Sequence, residues 1–306
     1  MDRRHLTYFL AVVEAGSISA ASRQLHISQP AISQSIKELE RELQIQIFQR
    51  GARLTLSPAG RTLVGPARRA LRAFEAVRDA VADVDQLVSG RLDIAVVPGF
   101  AVNPVVPLVT RFQARYPGVS VGVHEAAQGV DSFDTLRRAE AELLVSNYPA
   151  PYVKHEAVRL AVEEAWAVMP PTAENVPDRP LGVADLLEFR FIQGLPPYSE
   201  ARAGFVSALA AEQLSPPTVA VETAHRDAIV PFVLAGTGLA LLPTSEARAA
   251  ERLGAQIRPI AFALPHPCFL YHRRGPLSPA ALAFVSMASD AAPPSTSRPT
   301  GGEEPS

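Results

Sequence analysis

Apolar residues in the first fifth of the chain recur at helical spacing, in short bursts separated by polar breaks. Leu6, Phe9, Leu10 and Val13 form the first face, and Gly16 ends the helix they predict. Ala20, Ala21 and Leu25 form a second, with Ser19 placed to cap it. His26 and Ile27 then leave room only for a sharp turn. Ser28 stands at the N-cap of a third helix, with Pro30 in the first turn, where its missing N–H costs little. There Ile32, Ile36, Leu39 and Leu43 are spaced four, three and four apart, one inward face. Phe48-Gln49-Arg50, Gly51-Ala52 and Arg53-Leu54-Thr55-Leu56 then alternate and turn like a two-stranded wing.

Ser57-Pro58 opens a long helix. Leu63, Ala67, Ala70, Phe74, Val77, Val81, Val84 and Val88 keep a heptad seam for about four heptads, the pattern of a helix that pairs with another. Pro66 predicts a bend or irregular first turns, and Ser89-Gly90 a domain boundary. Beyond it the pattern changes to strands alternating with helices. Strands are predicted at 91–97, 119–123, 141–145, 164–169, 190–192, 219–221 and 239–242. Helices are predicted at 103–116, 133–139, 183–187, 201–213, 227–235 and 278–288, the last with Ser278 as cap and Pro279 at its first position. Such alternation implies mostly parallel sheets. The segment 290–306 is rich in Pro, Ser and Gly and reads as a disordered tail.

Charge sharpens the division. Residues 1–78 hold twelve Lys and Arg against six Asp and Glu, whereas the whole chain carries −2. A basic head on an acidic body suits a DNA-binding module joined to a domain that does not bind DNA. The outer face of the third helix fits the same partner. Gln29, Ser33 and Lys37 recur every four residues, with Ser28, Pro30 and Gln34 beside them. Amides and hydroxyls can bond base edges, and a lysine can pair with phosphate. Arg50 and Arg53 bracket the wing turn, where an arginine can enter a narrow minor groove. The alternative is the solvated face of an ordinary helical hairpin with a charged surface loop.

Other chemistry is not called for. Gly236-Thr237-Gly238 follows a helix and precedes a strand, the reverse of a phosphate-binding turn. No G-x-S-x-G, P-loop or H-E-x-x-H pattern occurs, and His266 and His272 around Cys268 do not make a metal site. A single cysteine excludes an intramolecular disulfide; Cys268 reads as a buried strand residue, with a redox sensor as the alternative. Trp166 reads as core. No apolar run reaches the roughly 20 residues of a membrane span, and Thr7, Tyr8 and Glu14 interrupt the first apolar stretch against a signal peptide. The expectation is a cytoplasmic protein that is not an enzyme and needs no cofactor.

The order of helix, SQPAIS helix-turn-helix, ELERELQIQIFQR, LTLSPAG, long helix and α/β body resembles the LysR-type transcriptional regulators. The residues that carry it are Ala20-Ala21, Ser28-Gln29-Pro30, Leu39-Glu40, Ile47-Phe48 and Arg50. Two positions depart: Gln34 stands where many members have a basic residue, and Arg138-Ala139-Glu140-Ala141-Glu142 replaces a glycine and an aspartate, with Glu142 as the substitute acid. The resemblance implies an α+β multidomain chain: a winged helix-turn-helix over residues 1–60, a linker and dimerisation helix over 58–89, and an effector domain over 91–289. The last would contain two Rossmann-like subdomains, 91–162 with 266–289 and 163–265, as in periplasmic binding proteins. It also implies a homodimer or homotetramer on an interrupted inverted repeat of double-stranded DNA, a small-molecule effector, and RNA polymerase as a further candidate partner. A solute-binding-protein-like sensor and an architectural DNA-binding protein are the alternatives.

In such a fold ligands sit outside the carboxyl ends of the strands, between the two subdomains. That expectation selects Phe100, Ala101 and Val102 before a helix start, Gly129 and Val130, and Asn147. From the second subdomain it selects Gln193, Thr223, Ala224 and His225. Amides, hydroxyls and one histidine beside apolar groups suit a small, partly apolar carboxylate. His225 would act as a neutral donor, because an imidazolium sits poorly at a helix N-terminus.

Overall fold

The computed structural model describes residues 1–49, 54–81, 90–151, 155–194 and 200–291. The chain divides into two compact units: Met1–Glu156 with Tyr271–Phe284, and Ala157–Leu270 with the residues from Val285 onward. The expected tail lies outside the described residues beyond 291, as do Arg50, Arg53 and the proposed boundary at Ser89.

The first unit opens with three helices: α1 (Arg3–Ala15), α2 (Ile18–Leu25) and α3 (Gln29–Leu43). Gly16 ends α1 at φ 70°, a left-handed conformation that glycine adopts without strain. Ser17, not Ser19, caps α2: its Oγ accepts from the Ala20 amide at 3.1 Å. The helix therefore starts at Ile18, two residues earlier than a Ser19 cap would place it. Ser28 is the N-cap of α3, but its side chain makes no capping bond. The wing strands β1 (Phe48–Gln49) and β2 (Thr55–Leu56) pair antiparallel. Leu6, Phe9, Val12, Ala21, Ile32, Ile36, Leu39 and Ile47 form one buried core.

The long helix α4 (Pro58–Val81) closes that core from below. Here the heptad reading needs correction. Leu63, Ala67 and Ala70 pack on the head's own core, so the first part of the seam is already occupied within the chain. Phe74 is the first seam residue left exposed, at 47%. The side chains of Val77 and Val81, and residues 84 and 88, fall outside the description. Gly60 sets how closely α4 meets the wing: a Cβ there would stand 2.2 Å from the Ile47 carbonyl oxygen.

The α/β part of this unit has three parallel strands, β3 (Gly90–Val96) between β4 (Val119–Glu125) and β5 (Leu143–Ser146). Helices α5 (Val106–Arg115) and α6 (Asp134–Arg137) connect them. Leu92, Ile94, Val96, Leu143 and Val145 are all buried, with Ile94 beside Leu143 and Val96 beside Val145 in register. The predicted helix at 133–139 is short; a 3-10 turn over Gly129–Phe133 precedes it. Ala139 follows it at φ 52°, a position that favours glycine.

The second unit begins as β6 (His155–Met169) leaves the first. It continues through α7 (Val183–Leu187), β7 (Phe191–Gly194), α8 (Glu200–Ala211), β8 (Val219–Thr223), α9 (Ile229–Leu234), β9 (Ala240–Pro243), α10 (Thr244–Arg252) and β10 (Gln256–Pro259). The chain returns along β11 (Pro265–Arg273) to α11 (Pro279–Asp290). Strands β7 and β8 are parallel; β6 pairs antiparallel with β9 and β10. Alternation along β6 feeds two cores, Ala165, Ala167 and Met169 on one side and Val168 on the other. Trp166 is only half-buried, with the Arg248 guanidinium 4.6 Å above its ring, so it is less interior than expected. Gly236 ends α9 at φ 83°, and a Cβ on Gly238 would meet the Arg190 carbonyl oxygen at 2.3 Å. The glycine pair thus serves a helix end and a close strand approach.

Candidate functional site

The polar face of α3 is displayed because its opposite face is anchored. Ile32, Ile36 and Leu39 are buried, which turns Gln29, Gln34 and Lys37 outward as exposed residues and leaves Ser33 half-buried. Ser28 and Pro30 are exposed at the helix start. The Gln29 Oε1 accepts from Ser19 Oγ at 3.0 Å. Ser19 therefore orients the Gln29 amide, a role hidden in the sequence because it joins two helices ten residues apart. Gln34 is less free: its Nε2 donates to Glu38 Oε1 at 2.8 Å. Hydrogen bonds from Gln34, then from His5, hold the Glu38 carboxyl below its usual range. Glu40 ties helix to wing. Its Oε1 accepts from the Ile47 amide at 2.8 Å and the Phe48 amide at 3.3 Å.

In the first unit, the loops after β3, β4 and β5 leave the carboxyl edge of one parallel sheet. That edge carries Phe100, Ala101 and Val102, then Gly129 and Val130, then Asn147. Val102 and Val130 are 78% and 59% exposed, while Asn147 is buried. The expected helix start at Asn103 is corrected. Residues Ala101–Val105 form a π-type turn in which Asn103 is extended, and α5 begins at Val106. Pro104 and Pro107 also lack N–H groups, so no array of free amides faces an anion there.

In the second unit, Gln193 lies within β7 rather than in the loop expected after it, and its Nε2 donates to Glu222 Oε1 at 2.6 Å. Thr223 Oγ1 accepts from the His225 amide at 2.9 Å. His225 precedes a single 3-10 turn, Arg226–Ala228, rather than the regular helix start expected at 227. The neighbouring charge is one the sequence reading passed over. Arg226 pairs with Glu246 at 2.9 Å, while its buried Nε has no hydrogen-bond partner among the described residues. Glu163 accepts from Ser245 N and Oγ at 2.7 and 3.0 Å. Burial, aided by Arg226, pushes the His266 imidazole down to about 4. Cys268 is buried in β11 and burial holds its thiol well above its usual range, which suits the structural reading. Among the described residues no group of three or more His, Cys, Asp or Glu could hold a metal. Among them, too, no helix is long and apolar enough to cross a membrane.

Comparison with known proteins bears on both regions. The profile described as "Bacterial regulatory helix-turn-helix protein, lysR family" matches residues 3–61. The profile "LysR substrate binding domain" matches residues 85–293. The nitrogen assimilation regulatory protein nac of Escherichia coli (strain K12) is 30% identical over 251 residues, 81% of this chain and 80% of that one. A full-length CbnR complexed with its target DNA shares the fold at TM-score 0.69 and 22% identity, over 95% of this chain and all of that one. A full-length OxyR variant from Pseudomonas aeruginosa aligns at TM-score 0.75 and 20% identity, over 100% of this chain and 99% of that one.

Proposed function

This chain belongs to the LysR family of bacterial regulatory helix-turn-helix proteins, and from that premise we propose how its residues divide the work of a transcription regulator. α3 enters the major groove. Gln29 and Ser33 read base edges, Lys37 pairs with phosphate, and Ser28 and Pro30 set the helix start. Gln34 contributes little while Glu38 holds it. Arg50 and Arg53 reach the minor groove from the wing. The observation that carries the reading is the exposed polar face of α3 above buried Ile32, Ile36 and Leu39.

Two chains pair through the later part of the seam, from Phe74 onward, because the earlier part already packs on the head. The recognised DNA is then an interrupted inverted repeat, and the protein works in the cytoplasm. A site selected by the protein from random DNA should show two protected major-groove patches a whole number of helical turns apart. A single patch would contradict the paired arrangement.

The effector is a small carboxylate. Phe100, Ala101, Val102, Gly129, Val130 and Asn147 supply its apolar and amide contacts; Gln193, Thr223, Ala224 and His225 supply polar ones. Arg226 supplies the cationic partner, since a guanidinium suits a carboxylate better than a neutral imidazole. Single changes at Phe100, Asn147, Thr223 and Arg226 should keep DNA binding and lose inducer response. Unaltered induction in all four would remove the proposal.

A further inference from the structure

Within the first unit, a cavity of about 550 Å³ opens between α4 and the α/β layer. Four arginines line it, Arg69 and Arg72 from α4 and Arg273 and Arg274 from the end of β11 and just beyond. Arg72 also donates to the Ala139 carbonyl oxygen, and Arg274 Nε lies 3.9 Å from Glu156. Among the described residues the lining has one carboxylate, Glu142. Its Oε1 accepts from Ser278 N at 3.1 Å and its Oε2 from Ser278 Oγ at 2.7 Å. Glu142 is thus engaged in fixing the start of α11, and the four guanidinium groups outnumber it.

Like charges gathered in a confined space repel unless an anion stands among them. Arg69 registers this: burial, then the charges of Arg273 and Arg72, weaken its hold on its proton. Guanidinium forks match oxyanions that can accept several bonds at once. The cavity is also separate from the effector loops. Ala141 and Glu142 precede β5, whereas Asn147 follows it, one strand length away, about 13 Å.

We propose that this cavity binds a small, multiply charged oxyanion, which bridges α4 to the α/β layer through arginines from both. An occupied site would stiffen the link between the DNA-binding head and the body, independently of the effector loops.

Calorimetric titration of the full-length chain with inorganic pyrophosphate, and separately with citrate, tests this. At least one probe should bind one site per chain with a dissociation constant below about 1 mM. An Arg69→Gln, Arg273→Gln double variant should weaken it at least about tenfold. Ala73→Glu, which adds a carboxylate to an exposed position on the same wall, should do likewise without removing any arginine. Lys37→Ala, on the DNA face, should bind the probe as wild type does. Absence of binding by both probes up to about 10 mM would overturn the proposal. So would wild-type affinity in both cavity variants, or an equal loss in Lys37→Ala.

Discussion

The proposed DNA-reading face of the head and the proposed effector residues of the body are assembled differently. In the head, Gln29, Ser33, Gln34 and Lys37 stand on one helix within nine residues, and a single buried stripe aims them all. In the body, Phe100, Gly129 and Asn147 follow three strands of one unit, whereas in the other Gln193 lies in β7, Thr223 ends β8 and His225 follows it. A helix face is set by local periodicity, whereas a loop cluster depends on strand order and on where each helix begins. The head's site should therefore fail all at once when its scaffold is disturbed, and the body's site one residue at a time.

The largest expected effect sharpens that contrast through Glu40, which joins α3 to the wing by accepting two backbone amides. Glu40→Ala should destabilise the head by roughly 2–3 kcal/mol, because two partly buried N–H groups lose a charged acceptor. Urea unfolding, with DNA binding measured in parallel, should show both properties falling together. Intact DNA binding at full loss of stability would break the link between scaffold and face.

A somewhat smaller effect belongs to the body alone. Burial first, then Arg226, lowers the His266 pKa from 6.5 to about 4 in the folded chain. A depressed folded-state value means that stability is complete above the unfolded value and declines as pH falls from 6.5 toward 4. Between pH 7.5 and 5 the loss should be about 2 kcal/mol. His266→Gln should flatten the unfolding profile in that window while leaving the head's transition unmoved. An unchanged slope would show that the imidazole is charged in the fold.

The smallest effect tests how local the head's construction is. Ser17→Ala should cost about 1 kcal/mol, through the lost bond to the Ala20 amide. Ser19→Ala should leave stability near wild type, because among the described residues Ser19 caps no helix and its hydroxyl bonds Gln29. A thermal melt that reverses this order would place the cap where the sequence suggested it.

Much of the head was legible because helical period, a proline in the first turn and a glycine stop all act over a few residues. What escaped there was geometry between helices: the Ser19–Gln29 bond, the grip of Glu38 on Gln34, and the packing of Leu63, Ala67 and Ala70 against the same chain. A heptad pattern records that a face is apolar, not which partner covers it. In the body the alternation of strands and helices was readable, but two residues expected in loops, Gln193 and Thr223, belong to strands β7 and β8, which run further than their apolar cores. Helix α10 was not, since Thr244–Arg252 buries only Ala247 and Ala250 and shows no broad apolar stripe. Nor was the start of α5, where Asn103 takes an extended conformation between two helical turns. Arg226 was overlooked beside His225, because its value comes from a buried Nε that only the fold reveals.

The central claim is that the outer face of α3 reads sequence. Its most direct test is the affinity of wild type, Gln29→Ala and Ser33→Ala for a site selected from random DNA and for a scrambled site, at fixed salt. Each substitution should weaken binding to the selected site by roughly 1–3 kcal/mol and leave binding to the scrambled site unchanged. Wild-type affinity and selectivity in both variants would contradict the assignment of this helix.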